Sequence, residues 1–143
     1  MIVNFFQLFG AVGVGFYLFE NGFGTASLNI KLDLLDFLIS ARRENKKVCG
    51  YGAAAKGNTL LNYAGVRHDL IEAVADRNPH KQGKYLPGSR IPVLSPEKML
   101  EQRPDYVLIL PWNLKEEVMA QLAPIREWGG RFVTAIPALR VWP

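Results

Sequence analysis

The stretch VCGYGAAAKGNT, residues 48–59, decides how this chain folds. It opens on four residues with apolar character, Val48-Cys49-Gly50-Tyr51, and passes directly into glycine and alanine. An apolar run of that length bounded by glycine reads as a buried strand, and the small residues behind it read as a tight strand-to-helix turn. Runs of the same kind recur at residues 70–75, 91–94, 105–110 and 131–136. Their apolar residues are consecutive rather than alternating, as in a parallel sheet covered on both faces.

Helix signals fill the gaps. Residues 28–45 carry a broad apolar face (Leu34, Leu35, Leu38) and end in the polar turn Arg42 to Lys47, where cations suit a helix C-terminus. A short helix with Leu60, Leu61 and Tyr63 begins after Gly57. Ser95 followed by Pro96 is an N-cap with proline at the first helical position. Asn113 with Glu116 resembles a capping box, opening a helix with Val118, Met119, Leu122 and Ile125 that Gly129-Gly130 stops. Strand and helix alternate, so the fold class is α/β: a Rossmann-like three-layer α/β/α arrangement with five mainly parallel strands. Right-handed crossovers give the order 3-2-1-4-5.

Composition sets the outer limits. The chain has 143 residues, 49% hydrophobic and 21% charged, enough for one globular domain. One cysteine, Cys49, excludes a disulfide framework and a multi-cysteine zinc site, and two histidines do not make a metal centre. Cys49, inside the first strand, reads as a buried inert thiol. A net charge of +4 favours anionic ligands without indicating nucleic acid. The cytoplasm is the default compartment.

Residues 1–27 stand apart as an unassigned segment. Residues 1–19 carry no charge, but no basic residue precedes the apolar run, and Asn4, Gln7 and glycines 10, 13 and 15 weaken a membrane span. A stub of a larger domain is the preferred reading, ahead of a partner-docking segment and a membrane anchor. Gly22 and Gly24 are expected to break the chain before the domain at 28–143.

In an open α/β sheet the ligand sits beyond the carboxyl ends of the strands, at the switch point beside the first one. Here that position reads Gly50-Tyr51-Gly52-Ala53-Ala54-Ala55-Lys56-Gly57-Asn58-Thr59. Gly50, Gly52 and Ala55 meet a relaxed GxGxxA fingerprint, in which glycine lets the backbone approach a phosphate and the next helix aims its N–H groups there. It is not a Walker A loop, because Asn58 holds the lysine position. Asp76, about 20 residues on, stands where such folds place a ribose-binding carboxylate; capping the following turn is its other reading. The basic loop Arg77 to Tyr85 is either a solvated turn or a clamp for an anion. Trp112, leaving the fourth strand, either stacks on a base or sugar or plugs the domain edge. Trp128 and Trp142 read as packing, and His68 and His80 as solvated.

VCGYGAAAKGNTLLNY (48–63) and VADRNPHKQGKYLPGSRIPV (74–93) resemble the C-terminal domain of the sugar C-methyltransferase family. The resemblance runs from about residue 28 to Trp142. It implies an enzyme that uses S-adenosylmethionine to methylate carbon in nucleotide-activated keto-deoxysugars, built from a zinc-binding N-terminal domain, a methyl-donor domain and this domain. This chain has neither the zinc module's cysteines nor room for a donor domain, so it is expected to be inactive alone and to bind no cofactor itself. Family catalysis is attributed mainly to the middle domain, so no catalytic residue carries over.

Binding does carry over: to Gly50, Tyr51, Gly52, Ala53, Lys56, Gly57, Asn58 and Thr59, to Asp76, Asn78, Lys81 and Gln82, and to Trp112. Lys56, Lys81 and the loop amides would take the diphosphate. Asn58 would make a polar ligand or helix-capping contact, and Asp76 would hold a hydroxyl or fix the loop. The expected partner is a dTDP-type nucleotide-sugar, with a separate methyl-donor domain and a second copy as candidate protein partners. Nucleic acid and membrane are not expected. The other class of function is a stand-alone module for a nucleotide, dinucleotide or coenzyme A.

Overall fold

The computed structural model describes residues 23–143; the expectations for residues 1–22 lie outside the described residues. Helix α1 (Phe23–Arg43) leads into β1 (Val48–Tyr51), α2 (Ala55–Ala64), β2 (Val74–Ala75) and β3 (Val93–Leu94). Then follow α3 (Pro96–Glu101), β4 (Tyr106–Ile109), a 3-10 turn (Trp112–Leu114), α4 (Lys115–Gln121), a second 3-10 segment (Ala123–Trp128), β5 (Arg131–Thr134) and β6 (Arg140–Trp142).

Among the described residues the sheet has six strands in the order β3-β2-β1-β4-β5-β6. The five expected strands are present, parallel and in the expected order. The count of five is corrected by β6, which runs antiparallel to β5 and pairs Phe132 with Trp142 and Thr134 with Arg140. Three residues behind a proline-containing bend are too short to announce a strand by pattern. The edge is fastened by Trp142 Nε1 donating to Thr134 Oγ1 at 3.0 Å.

Side chains alternate across the sheet and divide the core. Val48, Val74, Leu108 and Val133 face α1 and α2, meeting Leu34, Leu38, Leu60 and Leu61. Cys49, Val107, Ile109 and Phe132 face the other layer, meeting Met99, Val118, Leu122 and Ile125. Burial of each such aliphatic chain contributes about 1.5–3 kcal/mol, so both layers are needed to hold the strands flat between them.

Several local expectations change. Helix α1 runs through Gly24, so that glycine does not break the chain; Ala26 and Ile30 are buried and continue its apolar face. Only Val74–Ala75 of the 70–75 run is strand, because Leu70 and Ile71 turn back to donate to Arg67 O at 3.1 Å. The cap at Ser95 is present, its hydroxyl accepting from Lys98 N. The capping box at Asn113 is not, because Asn113 lies inside the 3-10 turn and α4 starts from Leu114 without a side-chain cap. Pro124 divides the last helix into α4 and its 3-10 continuation. Gly129, at φ 83, closes that segment as expected.

Candidate functional site at the carboxyl edge of the sheet

The turn after β1 is set by glycine chemistry. Gly52 has φ +92, a left-handed value that suits a residue without Cβ, and a Cβ there would stand 2.6 Å from Pro111 Cδ. The loop after β1 and the loop after β4 therefore touch across the switch point. This contact forms a ridge, and two hollows open at this edge of the sheet. One hollow, of about 210 Å³, is lined by Tyr51, Gly52, Asp76, Arg77 and Pro111 together with α4. The other, of about 290 Å³, lies between Trp112, Lys115, Arg140 and Trp142. Any side chain at Gly52, as in Gly52→Val, would have to displace the Pro111 ring.

Helix α2 begins at Ala55, not after Gly57, and its N-cap Ala54 offers no side-chain cap. Asn58 N already donates to Ala54 O at 3.0 Å, so Asn58 is inside the helix and does not cap it. The opening-turn N–H groups are those of Ala55, Lys56 and Gly57, which have no acceptor within the helix. Gly57 is buried, and a Cβ on it would approach Leu110 Cβ to 2.5 Å. Its small size lets α2 lie directly on β4, while its N–H stays in the opening turn. Asn58 Oδ1 is buried without a hydrogen-bond partner among the described residues. Lys56 extends over the Trp112 ring, 5.9 Å from its centroid, and so joins the start of α2 to the wall of the second hollow.

Asp76 fixes the loop. Its Oδ2 accepts from Ala53 N at 2.8 Å and from Lys81 Nζ at 3.3 Å, and its Oδ1 accepts from Asn78 N at 2.8 Å. Lys81 Nζ donates in addition to Ala53 O at 2.9 Å, and Gln82 Nε2 donates to Asp76 O at 2.9 Å. Asn78 shapes the turn, its Oδ1 accepting from His80 N. The expected clamp residues Asn78, Lys81 and Gln82 thus make a latch that ties the segment after β2 to the glycine loop.

The remaining residues make contacts within the domain. Tyr51 is buried, its hydroxyl donates to Gln121 Oε1 at 2.9 Å, and burial raises its pKa above the usual phenol value. Thr59 Oγ1 donates back to Ala55 O. Gly50 sits where a Cβ would crowd Val74 Cγ2 at 2.9 Å. Cys49 is fully buried, and desolvation, aided by the charge of Glu72, pushes its thiol up to about 12. Trp128 anchors its indole on Pro104 O. Arg77, the first residue of the basic loop, lines one hollow, and Lys115 and Arg140, which were not singled out from sequence, line the other. Those two are brought in by β6 and the 3-10 turn. Among the described residues no group of three or more metal-ligand side chains occurs, and no helix is long and apolar enough to cross a membrane.

Comparison with known proteins bears on this geometry. The chain is 46% identical over 98 residues to the C-methyltransferase NovU of Streptomyces niveus, a match covering 68% of this chain and 23% of that protein. The chain therefore spans less than a quarter of the length of the curated relative it matches. The sequence profile of the C-methyltransferase C-terminal domain matches residues 14–137, most of the chain. The chain belongs to the C-methyltransferase C-terminal domain family.

Proposed function

We propose that this chain is the nucleotide-sugar-binding domain of an S-adenosylmethionine-dependent C-methyltransferase acting on nucleotide-activated keto-deoxysugars. The observation that carries the reading is the opening of α2 at the switch point. The turn that Gly52 and Pro111 shape leads into the opening N–H groups of α2, the Lys56 ammonium lies over Trp112, and the buried Asn58 Oδ1 has no partner among the described residues. A diphosphate suits the N–H groups and the cation. A sugar or base hydroxyl suits the Asn58 carbonyl, and Trp112 offers a face for stacking. Lys81 adds the one N–H that Asp76 and Ala53 do not take.

S-adenosylmethionine itself fits this edge poorly. Asp76, the carboxylate in the ribose position, spends Oδ2 on two donors and Oδ1 on Asn78, leaving no pair of oxygens for a ribose diol. The methyl donor in this reading belongs to another domain, and no catalytic base is assigned to this chain. Cytoplasmic location and pairing with a donor domain or a second copy accompany the proposal.

Calorimetric titration tests it. The purified chain should bind a dTDP-linked deoxysugar and be stabilised by it against heat. Stabilisation by NAD and not by the dTDP-sugar would overturn the reading in favour of a dinucleotide module.

A further inference from the structure

A third hollow opens at the amino ends of β2 and β3. Because β1 and β2 are parallel, it lies at the opposite edge of the sheet from the glycine loop. It measures about 660 Å³ and is lined by Arg67, His68, Glu72, Tyr85, Ser89 and Arg90, with a proline. None of these residues takes part in the site already described.

Its floor is the tip of a hairpin whose geometry is fixed from several directions. Gly83 N donates to Val93 O, Val93 N to Lys84 O, and Leu86 N to Ile91 O. At the tip, Asn62 Nδ2 donates to Pro87 O at 2.9 Å and the Arg67 guanidinium donates to Gly88 O. Arg90 N donates to Leu86 O at 3.0 Å, with Arg90 held at φ 58. In this pinned turn Ser89 is 1% exposed, yet its Oγ has no hydrogen-bond partner among the described residues. A buried hydroxyl without a partner is costly and uncommon, and the hollow is the space from which a partner can come.

Charge identifies that partner. Arg67 and Arg90 bring two guanidinium groups; Arg67 uses N–H on Gly88 O and keeps others. His68 adds a ring N–H. The one acid in the lining, Glu72, lies 4.0 Å from Lys47 and is partly offset by it. An acceptor-only group of small size satisfies the serine hydroxyl and both arginines together. We propose that this hollow binds an oxyanion, the phosphate or carboxylate group of a small ligand, independently of the glycine-loop site.

The test titrates inorganic phosphate and, separately, succinate at constant ionic strength into the parent chain and into Lys56→Ala. The latter weakens any anion binding at the glycine loop. Ser89→Ala and Arg90→Asn are then added, asparagine being tolerated at left-handed φ. Saturable binding is expected in both backgrounds, weakened severalfold by Ser89→Ala and about tenfold by Arg90→Asn. Preference for phosphate or for succinate names the ligand group, and either sustains the site. Binding that never saturates, that vanishes in Lys56→Ala, or that both hairpin variants leave unchanged would overturn it. If one hairpin variant fails to fold, saturation in Lys56→Ala together with the response of the other variant decides the matter.

Discussion

The carboxylate of Asp76 accepts the backbone N–H of Ala53 at 2.8 Å, joining the end of β2 to the loop after β1 across 23 positions of sequence. Three donors converge on this carboxylate, and only 13% of its side chain is exposed. The latch aligns the glycine loop before any ligand arrives, so the entropy of ordering that loop is met during folding rather than binding.

Removal of the latch should therefore be felt twice. Asp76→Ala leaves Ala53 N–H and the Lys81 ammonium without their acceptor and is expected to lower stability by about 2–3 kcal/mol. Nucleotide-sugar affinity should fall as well, because the loop is then ordered at the expense of binding. Urea denaturation and calorimetry on one preparation check both. Unchanged stability would mean that the Asp76 contacts contribute little.

Gly52 carries a separate prediction. At φ +92 any side chain is strained by about 1–2 kcal/mol, and the Cβ also meets the Pro111 ring. Gly52→Ala is expected to destabilise the chain by about 2–4 kcal/mol, combining backbone strain with overpacking. Pairing it with Pro111→Ala should recover part of the loss, since the ring is what the methyl strikes. A double-mutant cycle in denaturant measures that coupling.

Much of this was legible from residue order alone. Consecutive apolar residues at 48–51 and 106–109 mark strands covered on both faces, and the crossover rule turns five such runs into the order 3-2-1-4-5. Features that depend on distant partners were not legible. Gly57 reads as part of a ligand loop, and that its size is also dictated by Leu110, just past β4, does not show in local pattern. Lys81 reads as a diphosphate contact, and its bonds to Asp76 and Ala53 O, which tie down the loop, depend on partners the pattern does not show. Asn113 and Glu116 have capping-box spacing, but Pro111 and the 3-10 turn shift the helix start beyond Asn113. Local pattern finds elements; the contacts between them decide which polar groups remain available.

Cys49 makes stability fall in alkali. Burial lifts its thiol from 9.0 to about 12, so in the folded chain the thiol stays protonated where the unfolded chain ionises. Its contribution is fully present below pH 9 and is lost as pH rises toward 12, by at most about 4 kcal/mol. Other groups titrate there too, so the comparison is with Cys49→Ala. The parent should lose more stability than the variant between pH 9 and 11, and native Cys49 should resist a thiol reagent at pH 8. Rapid labelling of the native chain would contradict the burial argument.

Lys56 tests the candidate site most directly. It is partly exposed and its contact with Trp112 is a single cation–π pair at 5.9 Å, contributing about 0.5–1 kcal/mol. Lys56→Ala should therefore change folding stability by less than about 1 kcal/mol. Its effect on a nucleotide-sugar should be larger, about 1.5–3 kcal/mol, the scale of a hydrogen bond to a charged group. Screening adds a second signature: affinity of the parent should fall as salt rises, and the variant should show a shallower dependence. Calorimetric titrations of both proteins at two salt concentrations separate the two effects. If Lys56→Ala binds as tightly as the parent with the same salt dependence, the opening turn of α2 is only a turn, and the diphosphate must sit elsewhere on the carboxyl edge.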